Sequence, residues 1–543
     1  MKGQRTTDWV WLVLLALCLA AGGYLSVRLG QDANWDLKNY HIYNPWAFLH
    51  GRFDTDLFAA GLQTYFNPLL DLPYYFLAFE WLPDRPKAVA FLMGLPYGLM
   101  LFCLLYAANI VLADLRITAR YRIPVVLLLA AFGASGAATV PQVGTTFNEV
   151  QIAALIIAGV AILLSGLKEV AEPFNRHTIF WGGLLFGLAA GLKLTAGIYA
   201  PAAVIALVVV AGQRRHAFAS AVIFSLAWGI GFALTYGWWA YHLYTLTGNP
   251  MFPLFEGIFG TSWLGSGSWM DNQFKAKTAT LALLYPFFWI DATARTVAEP
   301  IFSDPRFAIA LLAFFVLATM LGLRHMGQPS FLVDTAKARL PRTSVFTLIF
   351  IAIAYALWLK MFSILRYAVS IEVMLGLAIG IILVVGARLL QVTLSERALL
   401  ILAAVLLAGA AVKTKYPEWG RADYGTSVLN VQPVALLPDS MLILLGSPNA
   451  YVLPDIARQN RGVQFVGITD DLLSARKFDM WKTLTQKVQA YSGPKYALVR
   501  AEETRRFMHL SELKLAVDDN ACQSFATNID GYFKVCPLRP LAP

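Results

Sequence analysis

The sequence predicts an α-helical polytopic membrane protein of about eleven transmembrane helices, with a small C-terminal α/β domain on the periplasmic side. Of the 543 residues, 58% are apolar and only 14% are charged, whereas about 25% of the residues of an ordinary soluble domain are charged. The mean hydropathy is +0.58. A soluble core cannot hide so much apolar surface, so much of it should face lipid.

Long apolar runs supply the predicted spans, since a transmembrane helix needs about 20 largely apolar residues. The first run follows two basic residues and could be a signal peptide, but we favour an uncleaved helix because the run is long enough to span. The predicted spans are 9–28, 87–113, 123–140, 149–167, 179–192, 196–212, 217–240, 305–323, 344–360, 369–386 and 398–412.

The distribution of basic residues predicts the orientation of these spans. Loops on the side of the N terminus are rich in Lys and Arg, whereas the loop at 141–149 contains neither. Basic loops stay in the cytoplasm, so the first loop (29–85), residues 241–304 and the chain after 412 should be periplasmic. This places the protein in a bacterial inner membrane. Because the net charge of +10 is spread over short loops, we do not expect nucleic-acid binding.

Two domains are predicted, a transmembrane module over 1–412 and a soluble domain over 413–543. In the second, strand-like runs at 441–446, 463–468 and 496–501 alternate with helix-like stretches, which is typical of an α/β fold. Cys522 and Cys536 are the only cysteines outside apolar runs. Because the periplasm is oxidising, we predict a disulfide between them.

Polar residues of the first loop are the first candidates for a functional site. Its aromatic residues suit the depth of lipid headgroups, but an aromatic belt does not account for Asp36, just beyond the end of the first helix. Tyr40 follows Asp36 at helical spacing, and His41 is next in the chain. We expect a catalytic role for Asp36, with Tyr40, His41 and Asp56 at the substrates.

Three charged residues near helix ends are further candidates. Lys193 interrupts the apolar stretch GLLFGLAAGLKLTAGIYA, and ionisable residues at membrane depth usually mark function, although such a lysine can also snorkel to water. Arg366 has the planar fork of donors that suits a phosphate, but it could instead pair with Glu372. Glu149 opens a helix, where capping is the alternative to substrate binding.

The order of these features resembles that in GT-C-type membrane glycosyltransferases. The resemblance covers about residues 1–412 and comprises Asp36 in the first external loop, the GLAAGLK segment, the TGNPMFPLF loop and a late RY motif. It implies a polyprenyl-phosphate sugar as donor and an envelope glycan, lipid or protein as acceptor. It also implies that Asp36 activates the acceptor and that Arg366 and Lys193 contact the donor phosphate.

One departure from the family pattern concerns metal binding. Many relatives carry adjacent acidic residues in the first loop, whereas Asp36 is flanked by Trp35 and Leu37. This weakens the case for a bound metal, and we expect no cofactor besides the lipid-linked sugar, which is a substrate. Direct displacement of the lipid phosphate by the acceptor would invert the anomeric centre.

A transporter or flippase of lipid-linked sugars is the main alternative, and a polymer ligase is a second one. Transporters often have inverted repeats and charged residues near the membrane midplane. The sequence shows no internal repeat, and its polar clusters lie towards one face of the membrane. These two observations favour the glycosyltransferase.

Overall fold

The structure, a computed structural model, describes residues 2–167, 174–265, 271–291, 296–325, 340–529 and 531–541. A helical membrane part is followed by a domain built on a mixed sheet, so the predicted fold class is confirmed. The α-helices of the first part are α1 (Lys2–Leu29), α2 (Tyr43–Leu49), α3 (Leu72–Tyr75), α4 (Pro86–Asp114), α5 (Ala119–Ala134), α6 (Glu149–Leu167), α7 (Arg176–Leu192), α8 (Tyr199–Val210), α9 (Arg214–Thr247), α10 (Glu256–Phe259), α11 (Ala279–Phe288), α12 (Arg306–His325), α13 (Arg342–Met361), α14 (Val369–Glu372), α15 (Leu375–Leu389) and α16 (Glu396–Lys413).

Every predicted span overlaps a helix, although 123–140 runs beyond the end of α5 at Ala134, and not every helix is long enough to cross a membrane. Six of the described helices contain a segment that is long and apolar enough to cross a membrane. These helices are α1, α4, α6, α9, α12 and α13. The segment Leu365–Glu372 with α15, bent by 45°, could supply a seventh span. The chain is therefore a multi-pass membrane protein, and the count of eleven spans stays a prediction.

Glycine residues explain how closely α7 packs on α9. A Cβ atom on Gly187 would lie 2.1 Å from the carbonyl oxygen of Trp228, and one on Gly191 would lie 2.1 Å from Oγ1 of Thr235. Any larger residue would push the two helices apart, because small residues are what allow membrane helices to approach closely. The GLAAGLK segment therefore begins with a packing motif and ends at Lys193, where α7 stops.

The C-terminal domain contains a mixed sheet of six strands. Its path is β4-β3-β5-β8-β6, with β7 paired to β8; β3 is parallel to β4 and β5, while the other pairs are antiparallel. Three helices accompany it. The elements are β3 (Met441–Leu445), α17 (Leu453–Gln459), β4 (Gln464–Ile468), α18 (Asp470–Ser474), α19 (Asp479–Ala490), β5 (Lys495–Arg500), β6 (Leu515–Val517), β7 (Gln523–Ala526) and β8 (Tyr532–Pro540). Two further short strands, β1 (Gln31–Asp32) and β2 (Arg421–Ala422), pair with each other.

The predicted disulfide is present between Cys522 and Cys536. Cys536 lies within β8, and Cys522 precedes β7, which runs antiparallel to β8 as expected. The bond ties the start of β7 to β8.

The first external loop attaches to the exposed edge of this sheet. The backbone N–H of Leu57 donates to the carbonyl of Phe465 at 2.9 Å, and the N–H of Gly467 donates to the carbonyl of Leu57 at 3.0 Å. Edge strands carry unpaired backbone groups that another segment can satisfy. The loop therefore continues the sheet beyond β4 and holds the domain against the membrane part.

Asp56 strengthens this attachment, and its predicted role in substrate binding stays a prediction. Its carboxylate accepts hydrogen bonds from the backbone N–H of Phe465 at 2.9 Å and from the hydroxyl of Tyr43 at 2.9 Å. The guanidinium of Arg52 donates to both oxygens of the Asp56 carboxylate, at 2.7 and 2.9 Å. It also donates to the carbonyl of Val463. Through these hydrogen bonds Asp56 has a structural role, because it holds the first loop to β4.

We expect Asp56→Ala to destabilise the protein strongly. The substitution leaves Arg52, the Tyr43 hydroxyl and the Phe465 N–H without their shared acceptor, and breaking a buried ion pair costs about 3–5 kcal/mol. Thermal unfolding of the purified protein in detergent measures the effect. Asp54→Ala is the matched control, because Asp54 lies in the same loop and is exposed. Equal melting temperatures for the two variants would contradict the structural role.

Candidate active site

A cavity of about 940 Å³ lies where the first loop, the ends of membrane helices and the C-terminal domain meet. Of the seven residues that the sequence analysis singled out, those that line it are Asp36, Tyr40, His41, Lys193 and Arg366. Asp56 and Glu149 are not among the described residues that line this cavity. Side chains from distant parts of the chain are thus brought together as expected, with two exceptions.

Asp36 forms an ion pair with Arg366 at the centre of this group. Nη1 of Arg366 lies 2.6 Å from Oδ2 of Asp36, and the hydroxyl of Tyr40 donates to the same oxygen at 3.2 Å. A π-helical turn over Leu37–His41 begins directly after Asp36 and places Tyr40 beside its carboxylate. Only 6% of Asp36 is exposed, and Arg366 packs against its carboxylate.

The surrounding charges keep Asp36 ionised. Burial raises the pKa of this carboxyl, but the positive charge of Arg366, together with His41 and Lys193, outweighs burial and lowers the pKa below its usual value. Burial and the charge of Asp36 raise the pKa of Tyr40 well above the usual range. Tyr40 therefore keeps its proton and acts as a hydrogen-bond donor.

Arg366 is packed between aromatic rings and retains an unused donor. Its guanidinium carbon lies 4.9 Å from the ring centre of Phe147 and 5.4 Å from that of Tyr367. The buried Nε has no hydrogen-bond partner among the residues that the structure describes. Guanidinium groups bind phosphate through several N–H donors at once, and Arg366 lines the cavity.

The suggested pairing of Arg366 with Glu372 is wrong. Glu372 accepts hydrogen bonds from the backbone N–H groups of Ala138 and Thr139 at 3.0 and 2.9 Å, and from the Thr139 hydroxyl at 2.6 Å. With about 3.6 residues per turn, side chains six residues apart are roughly two-thirds of a turn apart around a helix. Arg366 therefore faces the cavity while Glu372 faces the turn after α5.

Lys193 and Glu149 form a second ion pair beside the first. The ammonium group of Lys193 contacts a carboxylate oxygen of Glu149 and donates to the carbonyl of Phe147 at 2.6 Å. Glu149 is the first residue of α6, and its second oxygen is buried without a partner in the described part of the chain. Lys193 thus forms part of the cavity wall, and Glu149 holds the Lys193 ammonium group in position through the ion pair.

Asp71 and Asn148 are site residues whose role the sequence did not reveal. One oxygen of Asp71 accepts from Nδ1 of His41 and from the side-chain amide of Asn148, both at 2.7 Å. Nε2 of His41 is left buried and unpartnered among the described residues. The available signal was Asp71 itself, a carboxylate within a short apolar run, but nothing in the sequence pairs it with His41.

The cavity has walls of two kinds. Its apolar side is formed around the C-terminal ends of α7 and α13 by Leu192, Leu194, Met361, Phe362 and Ile364. Its polar side includes residues of the C-terminal domain, which the sequence analysis did not place at the site: Glu418, Trp419, Ser447, Thr469, Asp470 and Asp471. A molecule with an apolar and a hydroxylated part fits this division.

Comparison with known proteins supports the predicted class. Residues 74–298 match the model of glycosyltransferase family 87, and no protein of curated function matches the chain. Two solved structures of ArnT from Cupriavidus metallidurans are similar to this chain. The form bound to undecaprenyl phosphate has 14% sequence identity and a TM-score of 0.41, and the alignment covers 98% of both chains. The apo form has 13% identity and a TM-score of 0.40, and the alignment covers 99% of this chain and 100% of ArnT. The family match, which covers residues 74–298, supports a membrane glycosyltransferase.

We expect Lys193→Met to destabilise the protein more than the double substitution Lys193→Met/Glu149→Gln. The single change leaves the Glu149 carboxylate buried and uncompensated, whereas the double change removes both charges. A double-mutant cycle measured by thermal unfolding should give a coupling of about 0.5–3 kcal/mol. Additive effects would show that the two charges do not interact, contrary to the geometry above.

Proposed function

We propose, from the premise that this chain is a GT-C-type membrane glycosyltransferase, that it moves a sugar from a polyprenyl-phosphate donor to a periplasmic acceptor within the cavity. The acceptor would be an envelope glycan, a lipid or a protein. The observation that carries the proposal is Arg366, a partly buried cation that lines the same cavity as the apolar and the polar residues and has one N–H unpartnered among the described residues. A lipid-linked phosphate needs a cation at that border.

The two walls match the two parts of such a donor. The polyprenyl chain would leave the bilayer along the apolar residues at the ends of α7 and α13, while the phosphate reaches Arg366. Arg366 would then stabilise the negative charge that grows on the leaving polyprenyl phosphate. Lys193 adds positive charge to the same wall, although Glu149 offsets part of it.

Asp36 is the proposed general base. When Arg366 shifts its donors to the phosphate, the carboxylate is released to accept the proton of the attacking hydroxyl. The acceptor oxygen forms a bond to the anomeric carbon, the bond from that carbon to the phosphate oxygen breaks, and the phosphate leaves with the electron pair. Such a single displacement inverts the anomeric centre. Tyr40 would hold the carboxylate in place through its hydrogen bond.

The proposed cellular location is the bacterial inner membrane, with the cavity and the C-terminal domain on the periplasmic side. The support is the placement of basic residues in the loops on the side of the N terminus. We propose a reaction without a resident metal or organic cofactor, because Arg366 and Lys193 already supply the positive charge that a phosphate requires.

We expect Asp36→Asn to abolish nearly all transfer while donor binding persists. Asparagine retains size and hydrogen bonding but cannot take a proton, and loss of a general base costs roughly 10²–10⁴-fold in rate. The assay is transfer of radiolabelled sugar in proteoliposomes from polyprenyl-phosphate hexoses and pentoses. Asp54→Asn is the control and should retain activity. Transfer at the wild-type rate by Asp36→Asn would place the base elsewhere.

We expect Arg366→Ala to weaken the binding of undecaprenyl phosphate, measured by native mass spectrometry of the protein in nanodiscs. Arg366→Lys should restore binding only in part, since an ammonium lacks the planar fork of donors. The double variant Asp36→Asn/Arg366→Ala controls for the carboxylate that the single change leaves unpaired. Wild-type lipid affinity in both alanine variants would refute the proposed donor site.

A further inference from the structure

The C-terminal domain contributes a part of the cavity wall that the proposed transfer chemistry does not use. Ser447 follows β3 directly after Gly446, and Thr469, Asp470 and Asp471 follow β4. These residues line the same cavity as Asp36 and Arg366. The domain is therefore part of the site and not an independent appendage.

The topology of the sheet places these residues where α/β sheets bind ligands. β3 is parallel to both of its neighbours, β4 and β5, and the chain passes from β3 to β4 on one side and then to β5 on the other. The strand order reverses at this point, and ligands of open α/β sheets bind outside the carboxyl ends of the strands at such a switch point. Ser447 and Thr469 lie at those ends.

Two polar groups in this wall are unsatisfied. Thr469 is only 4% exposed, and its hydroxyl has no hydrogen-bond partner within the described ranges. The indole N–H of Trp419 is likewise buried and without a partner there. Buried polar groups are nearly always hydrogen-bonded, and Thr469 and Trp419 both line the cavity, so this hydroxyl and this N–H are candidate hydrogen-bonding groups for a polar ligand.

The charge of the wall defines the class of that ligand. Besides Asp470 and Asp471, the cavity is lined by Asp271, Glu299 and Glu418. Asp470 is held in place by the guanidinium of Arg506 at 2.7 Å, while 75% of its side chain stays exposed. Carboxylates accept hydrogen bonds from hydroxyl groups and repel anions, and the faces of Trp35 and Trp419 offer apolar surface to a sugar ring.

We propose that this wall of the C-terminal domain, with Thr469 at its centre, binds the acceptor through an uncharged saccharide unit. The inference rests on the proposed function, to which it adds the acceptor class and a role for the domain. A saccharide supplies hydroxyl donors for the carboxylates and an oxygen acceptor for the Trp419 N–H. Its attacking hydroxyl would then lie in the same cavity as Asp36.

Binding of soluble saccharides to the full chain in nanodiscs tests the proposal. The probes are neutral tetrasaccharides of glucose, mannose, galactose or rhamnose, with tetragalacturonic acid as the anionic counterpart, and the readout is saturation-transfer NMR. We expect at least one neutral probe to bind and the anionic probe not to bind. Binding of the anionic probe alone, or of no probe, would overturn the proposal.

A matched pair of threonine variants locates the binding. Thr469→Val should raise the dissociation constant of the bound probe by about threefold to tenfold, which is the effect of one lost hydrogen bond. Thr483→Val on α19, whose hydroxyl bonds within its own helix, should leave it unchanged. Equal affinity in Thr469→Val and the wild type would place the saccharide elsewhere and overturn the assignment.

The affinity for undecaprenyl phosphate separates this inference from the proposed function. We expect Thr469→Val to bind that lipid as the wild type does. If the neutral probe binds at Thr469 but the wild type does not bind the lipid, the donor proposal fails and the saccharide site stands. If only the lipid binds, the donor proposal stands and the saccharide site fails.

Discussion

Attachment of the first external loop to the edge of the C-terminal sheet is the interaction on which the site depends. Leu57 exchanges backbone hydrogen bonds with the strand beside it, and the buried carboxylate of Asp56 ties Arg52 and Tyr43 to that strand. Since the loop also carries Asp36, the attachment sets the position of the catalytic candidate relative to the carboxyl ends of the parallel strands.

A second attachment acts on the other end of the loop. β1, directly after the first helix, pairs with β2, which lies between α16 and the C-terminal sheet. Arg421 of β2 donates to the carbonyls of Gly30, Pro141 and Val143, so three segments meet at one guanidinium. The cavity is therefore enclosed by a loop that is fixed at two points, which limits its motion when substrates enter.

The ion pair between Asp36 and Arg366 is better explained by function than by stability. Burying two charges costs solvation energy that their attraction roughly repays, so apolar residues of similar volume would stabilise the fold as well or better. A paired carboxylate and guanidinium in a cavity are, however, able to exchange partners when a phosphate and a hydroxyl arrive.

The sequence alone determined the class of fold, the approximate helix positions, the three parallel strands of the C-terminal domain and the disulfide, because apolar periodicity, charge placement and cysteine position are local signals. It also identified Asp36, Tyr40, His41, Lys193 and Arg366, since charged residues at the edge of apolar runs are costly and therefore conspicuous. Only the tertiary structure decided which of these groups pair with one another. It assigned Asp56 to the sheet edge and Glu372 to the turn after α5, and it brought Thr469 and Trp419 to the cavity. Such contacts join residues hundreds of positions apart, and they depend on loop geometry that no local pattern encodes.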